Sequence, residues 1–519
     1  MTKPNVLLIN PRMCAPTSTR LPVSLLSLAA VLEGRFAWQI VDGNLDHDAV
    51  RTALAALKQT SFDLVAISVM PGPQVASAIE MSSTIRRAFP SVPIVWGGYF
   101  PSLYPDAAIN APYVDYLVRG QGEQTLLALL ARLPDAGPVA EMLSAGSSAR
   151  VEAAVGDVLG LTWKSGDGPV HNQNRPSAPP GSFPLLPYDR LPDVRTYLRP
   201  TFLGTRTAVY QAAIGCRYKC EFCGVASMWN GKTALSDPER MERSLGELRD
   251  RWGANAIQFY DNNFFDREET SVPVLDVLGK LGMPWWCFAR PDTLANFSPS
   301  TWEKVRRSGL RMAYIGAEAA SDEALRKMRK GTRVEQTLEV AVRCQEYGVI
   351  PEFSFVLGGP DDPEGQIDTT FNFVRQIKQL NPRSEIVLYL YSPTPQRERG
   401  EARLRSTRAH LPVLAKYGPS GPALPTTPEE WAEPRWVKWV CHEDAPWLTD
   451  KIRGRVEDFA RVLACRFPTE QDYRTPPWGK AMLSGLARWR YATKRYSRPW
   501  ELRVAQKIVR LREPQRQSL

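Results

Sequence analysis

Residues 208–223 read AVYQAAIGCRYKCEFC, an apolar run that leads into three cysteines, Cys216, Cys220 and Cys223. The apolar run predicts a buried strand, and the thiols follow directly after it. The chain has 8 cysteines in 519 residues, so three of them in one short loop form a distinct cluster. The other five (Cys14, Cys287, Cys344, Cys441 and Cys465) are isolated, and we interpret them as small core residues.

Three neighbouring thiols are compatible with chance, with a partial zinc site or with an iron–sulfur cluster. Structural zinc sites take four ligands, usually in pairs, but the sequence has no second cysteine pair and its 4 histidines are scattered. A disulfide is disfavoured in a reducing compartment. A cubane cluster held by three thiolates leaves one iron open to an external molecule, so the spacing favours a cluster.

A series of strand and helix patterns surrounds the cysteines. Six apolar runs separated by helical patterns lie between residues 206 and 395: AVYQAAI, AIQFYDN, WWCFAR, MAYIGAE, PEFSFVLG and EIVLYLY. Such alternation predicts a partial (β/α)6 barrel, whose chemistry belongs at the carboxyl ends of its strands. The three cysteines follow the first of these strands.

An earlier α/β series occupies residues 1–135. The runs NVLLINP, WQIVDGN, FDLVAISVM, VPIVWGG and VDYLVRG alternate with amphipathic helices, which predicts an N-terminal doubly wound parallel sheet. Ligands of such sheets bind beyond the carboxyl ends of the strands. The loops there (NPRMCAP, SVMPGPQ, GGYFPS and RGQGE) are rich in Gly, Pro and Ser, which indicates a flat ligand approached by backbone.

The two remaining segments are less regular. Residues 136–205 contain a predicted hairpin, GLTWKSGDGPVHN, and a Pro-rich linker. Residues 396–519 are rich in Trp, Arg and Pro, and we expect a mostly helical C-terminal domain. The fold class is therefore α/β, with four segments bounded at 1–135, 136–205, 206–395 and 396–519.

The motif CRYKCEFC, with Phe222 before its last cysteine, resembles the radical S-adenosylmethionine (SAM) enzymes. The resemblance implies that Cys216, Cys220 and Cys223 hold a [4Fe-4S] cluster, and that its free iron binds SAM. Phe222 would lie against the adenine. The family also implies an external electron donor, such as flavodoxin or ferredoxin.

Further segments resemble the SAM-binding motifs of that family. FYDNNF, FARPD, YIGAEAASDEALRKMRKG and FSFVLGGPDDPEG follow or end the predicted barrel strands. By resemblance, the candidate SAM contacts are Asp261, Asn262, Asn263, Arg290, Glu318, Ser354, Gly358 and Gly359. Loop capping at the amides and structural salt bridges at Arg290 and Glu318 are the alternatives.

The N-terminal segment resembles the cobalamin-binding domain of cobalamin-dependent radical SAM enzymes, and the resemblance spans residues 3–395. It implies that the following residues line the pocket for the nucleotide tail: Ser68, Gly72, Gly97, Gly98, Gly120, Gly122 and Glu123. The D-x-H-x-x-G motif that supplies an axial histidine in some cobalamin proteins is absent, because Asp46 and His47 are adjacent. The lower face of cobalt would then lack a histidine ligand.

The resemblance implies a cobalamin-dependent methyltransferase that acts on an unactivated carbon. A 5′-deoxyadenosyl radical would remove hydrogen, and methylcobalamin would supply the methyl group. A ring-forming cyclase resembling the anaerobic magnesium-protoporphyrin monomethyl ester cyclase is the alternative. A corrinoid or iron–sulfur carrier or sensor without catalysis is an alternative of another class.

The charge distribution bears on the partners. The formal net charge is +10, and Lys480 to the C-terminus carries eleven basic residues against Glu501 and Glu513. We expect a small-molecule substrate and no nucleic-acid partner. The basic region is compatible with a large or acidic substrate and equally with a solvated, partly docked helical face. The segment PWELRVAQKIVRL predicts an amphipathic helix with Leu502, Ala505, Ile508, Val509 and Leu511 on one face, which makes membrane-surface contact a less favoured option. The absence of a signal-peptide pattern predicts a cytoplasmic protein.

Overall fold

The computed structural model describes residues 5–136, 148–229, 231–359, 362–391, 396–397, 404–405, 424–441 and 448–509. The chain forms two compact units, each built from several segments. The first unit contains Met1–Arg199, Gln211–Ser244 and Pro393–Val440. The second unit contains Pro200–Tyr210, Leu245–Ser392 and Cys441–Leu519. The bounds of the four predicted segments stay predictions.

The strands within the described residues are numbered in chain order. They are β1 (Asn5–Asn10), β2 (Ala37–Asp42), β3 (Leu64–Ser68), β4 (Ile94–Gly97), β5 (Tyr116–Val118), β6 (Leu161–Ser165), β7 (Gly168–His171), β8 (Thr207–Tyr210), β9 (Ala213–Gly215), β10 (Thr233–Leu235), β11 (Ala256–Phe259), β12 (Trp285–Ala289), β13 (Leu310–Glu318), β14 (Ile350–Leu357), β15 (Glu385–Leu390), β16 (Gln396–Arg397) and β17 (Leu404–Arg405).

The α-helices are numbered in the same way. They are α1 (Val23–Leu32), α2 (Ala49–Gln59), α3 (Gln74–Ala88), α4 (Tyr99–Leu103), α5 (Pro105–Ile109), α6 (Glu123–Ala136), α7 (Ser148–Val155), α8 (Gly224–Trp229), α9 (Pro238–Asp250), α10 (Glu268–Leu281), α11 (Pro291–Ala295), α12 (Pro299–Arg307), α13 (Asp322–Lys327), α14 (Val334–Tyr347), α15 (Pro363–Leu380), α16 (Pro428–Trp431), α17 (Pro434–Val440), α18 (Asp450–Arg466), α19 (Pro477–Ala492) and α20 (Trp500–Val509). Short 3-10 turns occupy Pro16–Ser18, Pro180–Ser182, Tyr188–Arg190 and Val194–Tyr197.

The first unit is built on a seven-stranded sheet in the order β2-β1-β3-β4-β5-β6-β7. Strands β1 to β5 are parallel, which confirms the predicted arrangement. In β1 the residues Val6 to Ile9 are all fully buried, as expected for a parallel strand covered on both faces. One core cluster of this unit joins β1, β3, β4 and β5 to helices α1, α6 and α7.

The predicted hairpin exists, but it is part of this sheet. Strand β6 pairs antiparallel with β5, with Tyr116 opposite Trp163, and β7 pairs antiparallel with β6. Trp163 is buried against the core of the sheet. The hairpin therefore covers the edge of β5, which would otherwise expose unpaired backbone groups.

The second unit is built on six parallel strands in the order β15-β14-β13-β12-β11-β8. This order confirms the predicted partial barrel, because β8 and β15 lie at opposite edges of the sheet. Trp285 and Cys287 of β12 are fully buried on one face, and Trp286 belongs to a separate apolar cluster with Tyr314 on the other. Helices α10 and α14 end at Gly282 and Gly348, both left-handed, as is usual at helix C-termini.

The described C-terminal residues are mostly helical, as predicted. Helices α18, α19 and α20 pack against one another in the second unit. Helix α20 corrects the predicted amphipathic face, because Leu502, Ala505 and Val509 are buried in a core shared with α18 and α19, whereas Ile508 is exposed. Leu511 lies outside the described residues. Among the described helices, none combines the length and apolar character that crossing a bilayer requires.

Candidate cofactor-binding site

The three cysteines lie on one loop of the first unit, between a short strand and a short helix. Strand β9 pairs antiparallel with β10, and the loop begins directly after it at Cys216. The amide of Cys223 donates a hydrogen bond to the carbonyl of Cys220 (3.2 Å), and α8 begins at the next residue. The thiols are therefore carried by one turn whose backbone bonds hold the second and third cysteines together.

Gly215 ends β9 and directly precedes Cys216, the first residue of this loop. Its φ is +78°, and a Cβ atom there would lie 2.3 Å from the carbonyl oxygen of Lys232 and 3.0 Å from Cβ of Trp229. Only glycine combines this backbone conformation with so close an approach. The glycine before the first cysteine is thus a requirement of the turn.

The thiols are within electrostatic reach of one another. Burial raises the pKa of the Cys223 thiol to about 11, and the neighbouring Cys220 and Cys216 contribute to the rise. A thiol with this pKa stays protonated at neutral pH unless a cation stabilises the thiolate. Iron supplies such a cation, and thiolates are the usual ligands of iron–sulfur clusters.

The donor set is compatible with a cluster. Within the residues that the structure describes, no group of three or more His, Cys, Asp or Glu side chains is arranged to hold one ion. A cubane does not require such convergence, because each thiolate binds a different iron atom. Cys216, Cys220 and Cys223 would therefore hold a [4Fe-4S] cluster.

The carboxyl edge of the first sheet presents the predicted glycine-rich loops. Gly98 has a φ of +96°, and a Cβ atom there would lie 3.0 Å from the carbonyl oxygen of Val69 and 3.3 Å from Oγ of Ser68. Gly97 ends β4, and its carbonyl accepts a hydrogen bond from the amide of Val69 (2.8 Å). The loops after β3 and β4 thus pack backbone against backbone, which leaves no room for larger side chains.

Ser102, which the sequence analysis did not single out, links two of these loops. Its hydroxyl donates to the carbonyl of Gly98 (2.6 Å) and accepts from the amide of Gly120 (2.9 Å). Gly120 has a φ of +74°, and the space beside its Cα is open. The contact of these small residues with the nucleotide tail of cobalamin stays a prediction.

Three other predicted residues lie at this edge of the sheet: Gly72, Gly122 and Glu123. Gly72 has a φ of +93°, and a Cβ atom on Gly122 would lie 3.3 Å from Cδ2 of Leu28. Glu123 begins α6 and is buried. Burial raises the pKa of its carboxyl group, although hydrogen bonds from the amides of Glu123 and Gly122 act in the opposite direction. Its role in cofactor binding stays a prediction.

Helix α4 connects the two candidate elements of the first unit. It begins directly after Gly98, and it contacts α8, which begins directly after Cys223. The glycine-rich edge of the sheet and the cysteine loop therefore belong to one packed region of this unit.

The predicted SAM contacts on the barrel strands lie in the second unit, at the carboxyl ends of parallel strands. Asp261 and Asn263 follow β11 and are buried, whereas Asn262 is half-buried. Asn263 donates a hydrogen bond through Nδ2 to the carbonyl of Phe265 (2.9 Å), so it shapes its own loop. The contacts of Asp261 and Asn262 with SAM stay predictions.

Arg290 and Glu318 are buried, and each pairs with a group of opposite charge. Arg290 follows β12 and forms a two-point ion pair with Asp292, with Nε to Oδ1 at 2.9 Å and Nη2 to Oδ2 at 3.1 Å. Glu318 ends β13 with a φ of +64°, and its Oε1 accepts from Nζ of Lys330 at 2.7 Å. Both side chains thus take part in structural salt bridges, and their contacts with SAM stay predictions.

Gly316 allows Glu318 to take this position. A Cβ atom on Gly316 would lie 2.3 Å from Oε1 of Glu318 and 2.7 Å from Nζ of Lys330. Both Gly316 and Lys330 lie in the quoted segment YIGAEAASDEALRKMRKG, but the resemblance pointed only to Glu318. The segment holds two lysines, Lys327 and Lys330, so its sequence alone does not say which one pairs with Glu318.

Three further predicted SAM contacts lie on or directly after β14: Ser354, Gly358 and Gly359. Ser354 is buried and forms a hydrogen bond with the side chain of Tyr314. Gly358 has a φ of +75°, and a Cβ atom there would lie 2.8 Å from Cδ2 of Leu448. The amide of Gly359 donates to Oε1 of Gln366 (3.0 Å). These surroundings explain the two glycines structurally, and their approach to adenosine stays a prediction.

Comparison with known protein families finds two matching domains in the chain. Residues 18–130 match the B12 binding domain, and residues 210–374 match the Radical SAM superfamily. The chain therefore carries a B12-binding domain followed by a radical SAM domain. Its cofactors are accordingly a [4Fe-4S] cluster, SAM and cobalamin.

Individual relatives are distant. An uncharacterized methyltransferase of Pyrococcus horikoshii is 23% identical over 366 residues, covering 69% of this chain and 73% of the relative. The anaerobic magnesium-protoporphyrin IX monomethyl ester cyclase of Rubrivivax gelatinosus is 24% identical over 348 residues, covering 64% of this chain and 57% of the cyclase.

A solved structure shares the fold over nearly the whole chain. The radical SAM methyltransferase TsrM of Kitasatospora setae, solved with cobalamin and a [4Fe-4S] cluster, is 16% identical with a TM-score of 0.64. The alignment covers 98% of this chain and 99% of TsrM. This likeness confirms the predicted fold class.

Proposed function

We propose that this chain is a cobalamin-dependent radical SAM methyltransferase that methylates an unactivated carbon of a small-molecule substrate. The proposal combines the two family matches with the methyltransferases among the relatives. It also relies on the cysteine loop and on the glycine-rich edge of the first sheet.

The contact between α4 and α8 is the observation that carries the proposal. Helix α4 follows the glycines that would hold the cobalamin, and α8 follows the cysteines that would hold the cluster. A reaction that uses both cofactors on one substrate requires their binding elements to belong to one packed region. A carrier that used only one cofactor would not require this.

When bound, the cluster and SAM supply a carbon-centred radical that removes a hydrogen atom from the substrate, and cobalamin supplies the methyl group. The chain's own tasks are binding, orientation and exclusion of water. Cys216, Cys220 and Cys223 would hold the cluster, and the backbone at Gly98 and Gly120 would hold the nucleotide tail. An external protein such as flavodoxin or ferredoxin would donate the electron.

The second candidate is an oxidative ring-forming cyclase, which the match to the Rubrivivax gelatinosus cyclase favours. Both reactions would begin with removal of hydrogen from carbon. They differ in the product, since only methylation adds one methylene unit to the mass of the substrate.

The first test measures iron, corrinoid and 5′-deoxyadenosine in the anaerobically purified protein with SAM and reductant. We expect Cys220→Ala to abolish both the bound cluster and 5′-deoxyadenosine formation. Cys344→Ala, which removes a buried thiol of α14, is the control and should retain both. Formation of 5′-deoxyadenosine by the Cys220 variant, or none by the wild type, would contradict the proposal.

The second test addresses the cobalamin site. Gly98→Ala should lower the bound corrinoid several-fold without changing the iron content, because the new Cβ would press on the loop after β3. Gly34→Ala is the control, since Gly34 also has a positive φ (+75°) but open space around it. An equal loss of corrinoid in both variants would assign the effect to stability rather than to the cofactor site.

A further inference from the structure

Helices α19 and α20 carry an unusual concentration of exposed apolar side chains. Twelve large hydrophobic residues are exposed within the described part of the chain, and seven of them lie on these two helices. The seven are Trp478, Met482, Leu486, Trp489, Trp500, Val504 and Ile508. Single exposed hydrophobic residues are ordinary, but a concentration of this kind marks an interaction surface.

On α19 the exposed residues follow one helix face. Trp478, Met482, Leu486 and Trp489 are spaced by three or four positions, so they lie along one side of the helix. These four residues are not part of the hydrophobic core, because the core contacts of α19 are made by Leu483 and Ala487 on another side of the helix. Trp478 and Trp489 are 63% and 56% exposed, too much for rings that merely edge a core.

On α20 the same division recurs. Trp500, Val504 and Ile508 are spaced by four positions and are at least half exposed, up to 70% at Trp500. Leu502, Ala505 and Val509 pack inward instead. Because both helices bury one stripe in a shared core, the second stripe on each faces outward.

The charges around these stripes are almost all positive. Between Pro477 and Val509 the only acidic residue is Glu501, and it forms an ion pair with Arg490. Asp458 of α18 pairs with Arg503 (3.2 Å). Six basic residues of this region are exposed: Arg488, Lys494, Arg495, Arg498, Arg503 and Lys507.

We propose that the outward faces of α19 and α20 bind the surface of an anionic phospholipid bilayer. Tryptophan rings lie favourably at the boundary between headgroups and acyl chains, and nearby Lys and Arg side chains are attracted to anionic lipid. The excess of exposed cations fits a negatively charged occupant and disfavours a second copy of the same face, which would bring like charges together. This inference goes beyond the proposed reaction and does not depend on it.

The test is flotation of the full-length protein with vesicles of phosphatidylcholine alone or mixed with phosphatidylglycerol. The wild type should float with the mixed vesicles at low ionic strength, remain below the phosphatidylcholine vesicles, and be released by salt. The variant Trp478→Ser/Trp489→Ser/Trp500→Ser/Ile508→Ser should lose flotation. Val342→Ser/Leu380→Ser, which removes exposed apolar residues of α14 and α15, is the matched control and should float like the wild type.

A charge variant keeps the test valid if the apolar variant misfolds. Arg488→Gln/Lys507→Gln should weaken binding to mixed vesicles by about tenfold, since each basic residue near an anionic surface contributes measurably. Lys58→Gln/Arg87→Gln, on exposed positions of α2 and α3, should have no effect. Failure of the wild type to float with mixed vesicles, or equal binding by the charge variant, would overturn the proposal. So would a wild-type dimer that the apolar variant converts to a monomer without any change in flotation.

Discussion

Buried carboxyl groups occur at both ends of the six-stranded sheet of the second unit, and they have different partners. At the carboxyl end, Glu318 faces the ammonium group of Lys330 at 2.7 Å. At the amino end, Glu352 and Glu385 stand opposite each other on β14 and β15. Gln471 bridges them, with Nε2 at 2.7 Å from Oε1 of Glu352 and at 3.0 Å from Oε2 of Glu385.

The two buried carboxyl groups have different neighbours: Glu318 lies beside a cation, whereas Glu352 lies beside a second carboxyl group. An opposite charge stabilises the ionised carboxylate, whereas burial beside a second carboxylate favours the protonated acid. Burial and the neighbouring Glu385 raise the pKa of Glu352 to about 8. In barrels of this kind the carboxyl end carries chemistry and the amino end carries stability, and the charges follow that division.

The largest effect should come from removing the cation at the carboxyl end. Lys330→Met leaves Glu318 buried without its ammonium partner, which should lower the free energy of unfolding by about 3–5 kcal/mol. Lys327→Met is the control, because Lys327 pairs with Glu323 on the surface and should cost at most about 1 kcal/mol. Denaturant unfolding measures both, and equal small losses would show that the buried pair has no special contribution.

At the amino end the prediction concerns pH. The folded state keeps the proton of Glu352 up to a pKa of about 8, whereas the unfolded state releases it near the ordinary value of 4.5. The unfolded state therefore binds fewer protons in this window, so the contribution of Glu352 to stability is present at low pH and is lost as pH rises towards 8. The slope for one proton is about 1.4 kcal/mol per pH unit.

Glu352→Gln tests this, since the amide has the shape of the protonated acid. The stability of the wild type relative to the variant should fall as pH rises between these two values. Glu335→Gln removes an exposed carboxyl group of α14 and controls for the change in net charge. A wild-type-minus-variant difference that stays constant over this pH range would show that Glu352 is already ionised in the folded protein.

A substitution at Gly316 should destabilise the carboxyl end of the sheet less than the loss of Lys330. Gly316→Ala places a Cβ atom where Oε1 of Glu318 now lies, and the displaced carboxylate should cost about 1–3 kcal/mol. Gly246→Ala is the control, because no atom lies within 4 Å of its Cβ position in α9 and the change should be neutral or stabilising. A neutral Gly316 variant would mean that the ion pair can shift without loss.

Sequence patterns predicted most of the barrel strands, because each is a short apolar run bounded by polar turns. The first predicted run, AVYQAAI, was wrong as a single strand, since it divides into β8 of the six-stranded sheet and β9, which pairs with β10. The cysteine spacing likewise identified its loop without any structural information. Partners could not be predicted in the same way, since Lys330 lies twelve positions from Glu318 and only the fold brings them together. The hairpin after α7 was recognised locally, but its pairing with β5 is a non-local contact.

Helix α20 shows the limit of periodicity most clearly. Its sequence contains two apolar stripes, one with Leu502 and Val509 and the other with Trp500 and Val504. Both satisfy helical spacing, so the pattern alone does not decide which one packs on α18 and α19. The small side chain of Ala505 allows close packing of the first stripe, whereas the bulk of Trp500 on the second is left outside.

The last prediction concerns the hydrogen bonds of Gln471 at the amino end of the sheet. Gln471→Met keeps the volume of the side chain but removes the Nε2 donor to Glu352 and Glu385, which should cost about 1 kcal/mol per lost hydrogen bond near neutral pH. The loss should shrink in the background of Glu352→Gln, because the new amide brings its own donor to Glu385. A double-mutant cycle measured by denaturant unfolding gives this coupling. Additive losses would show that Gln471 stabilises Glu385 alone and that the two carboxyl groups do not act as a pair.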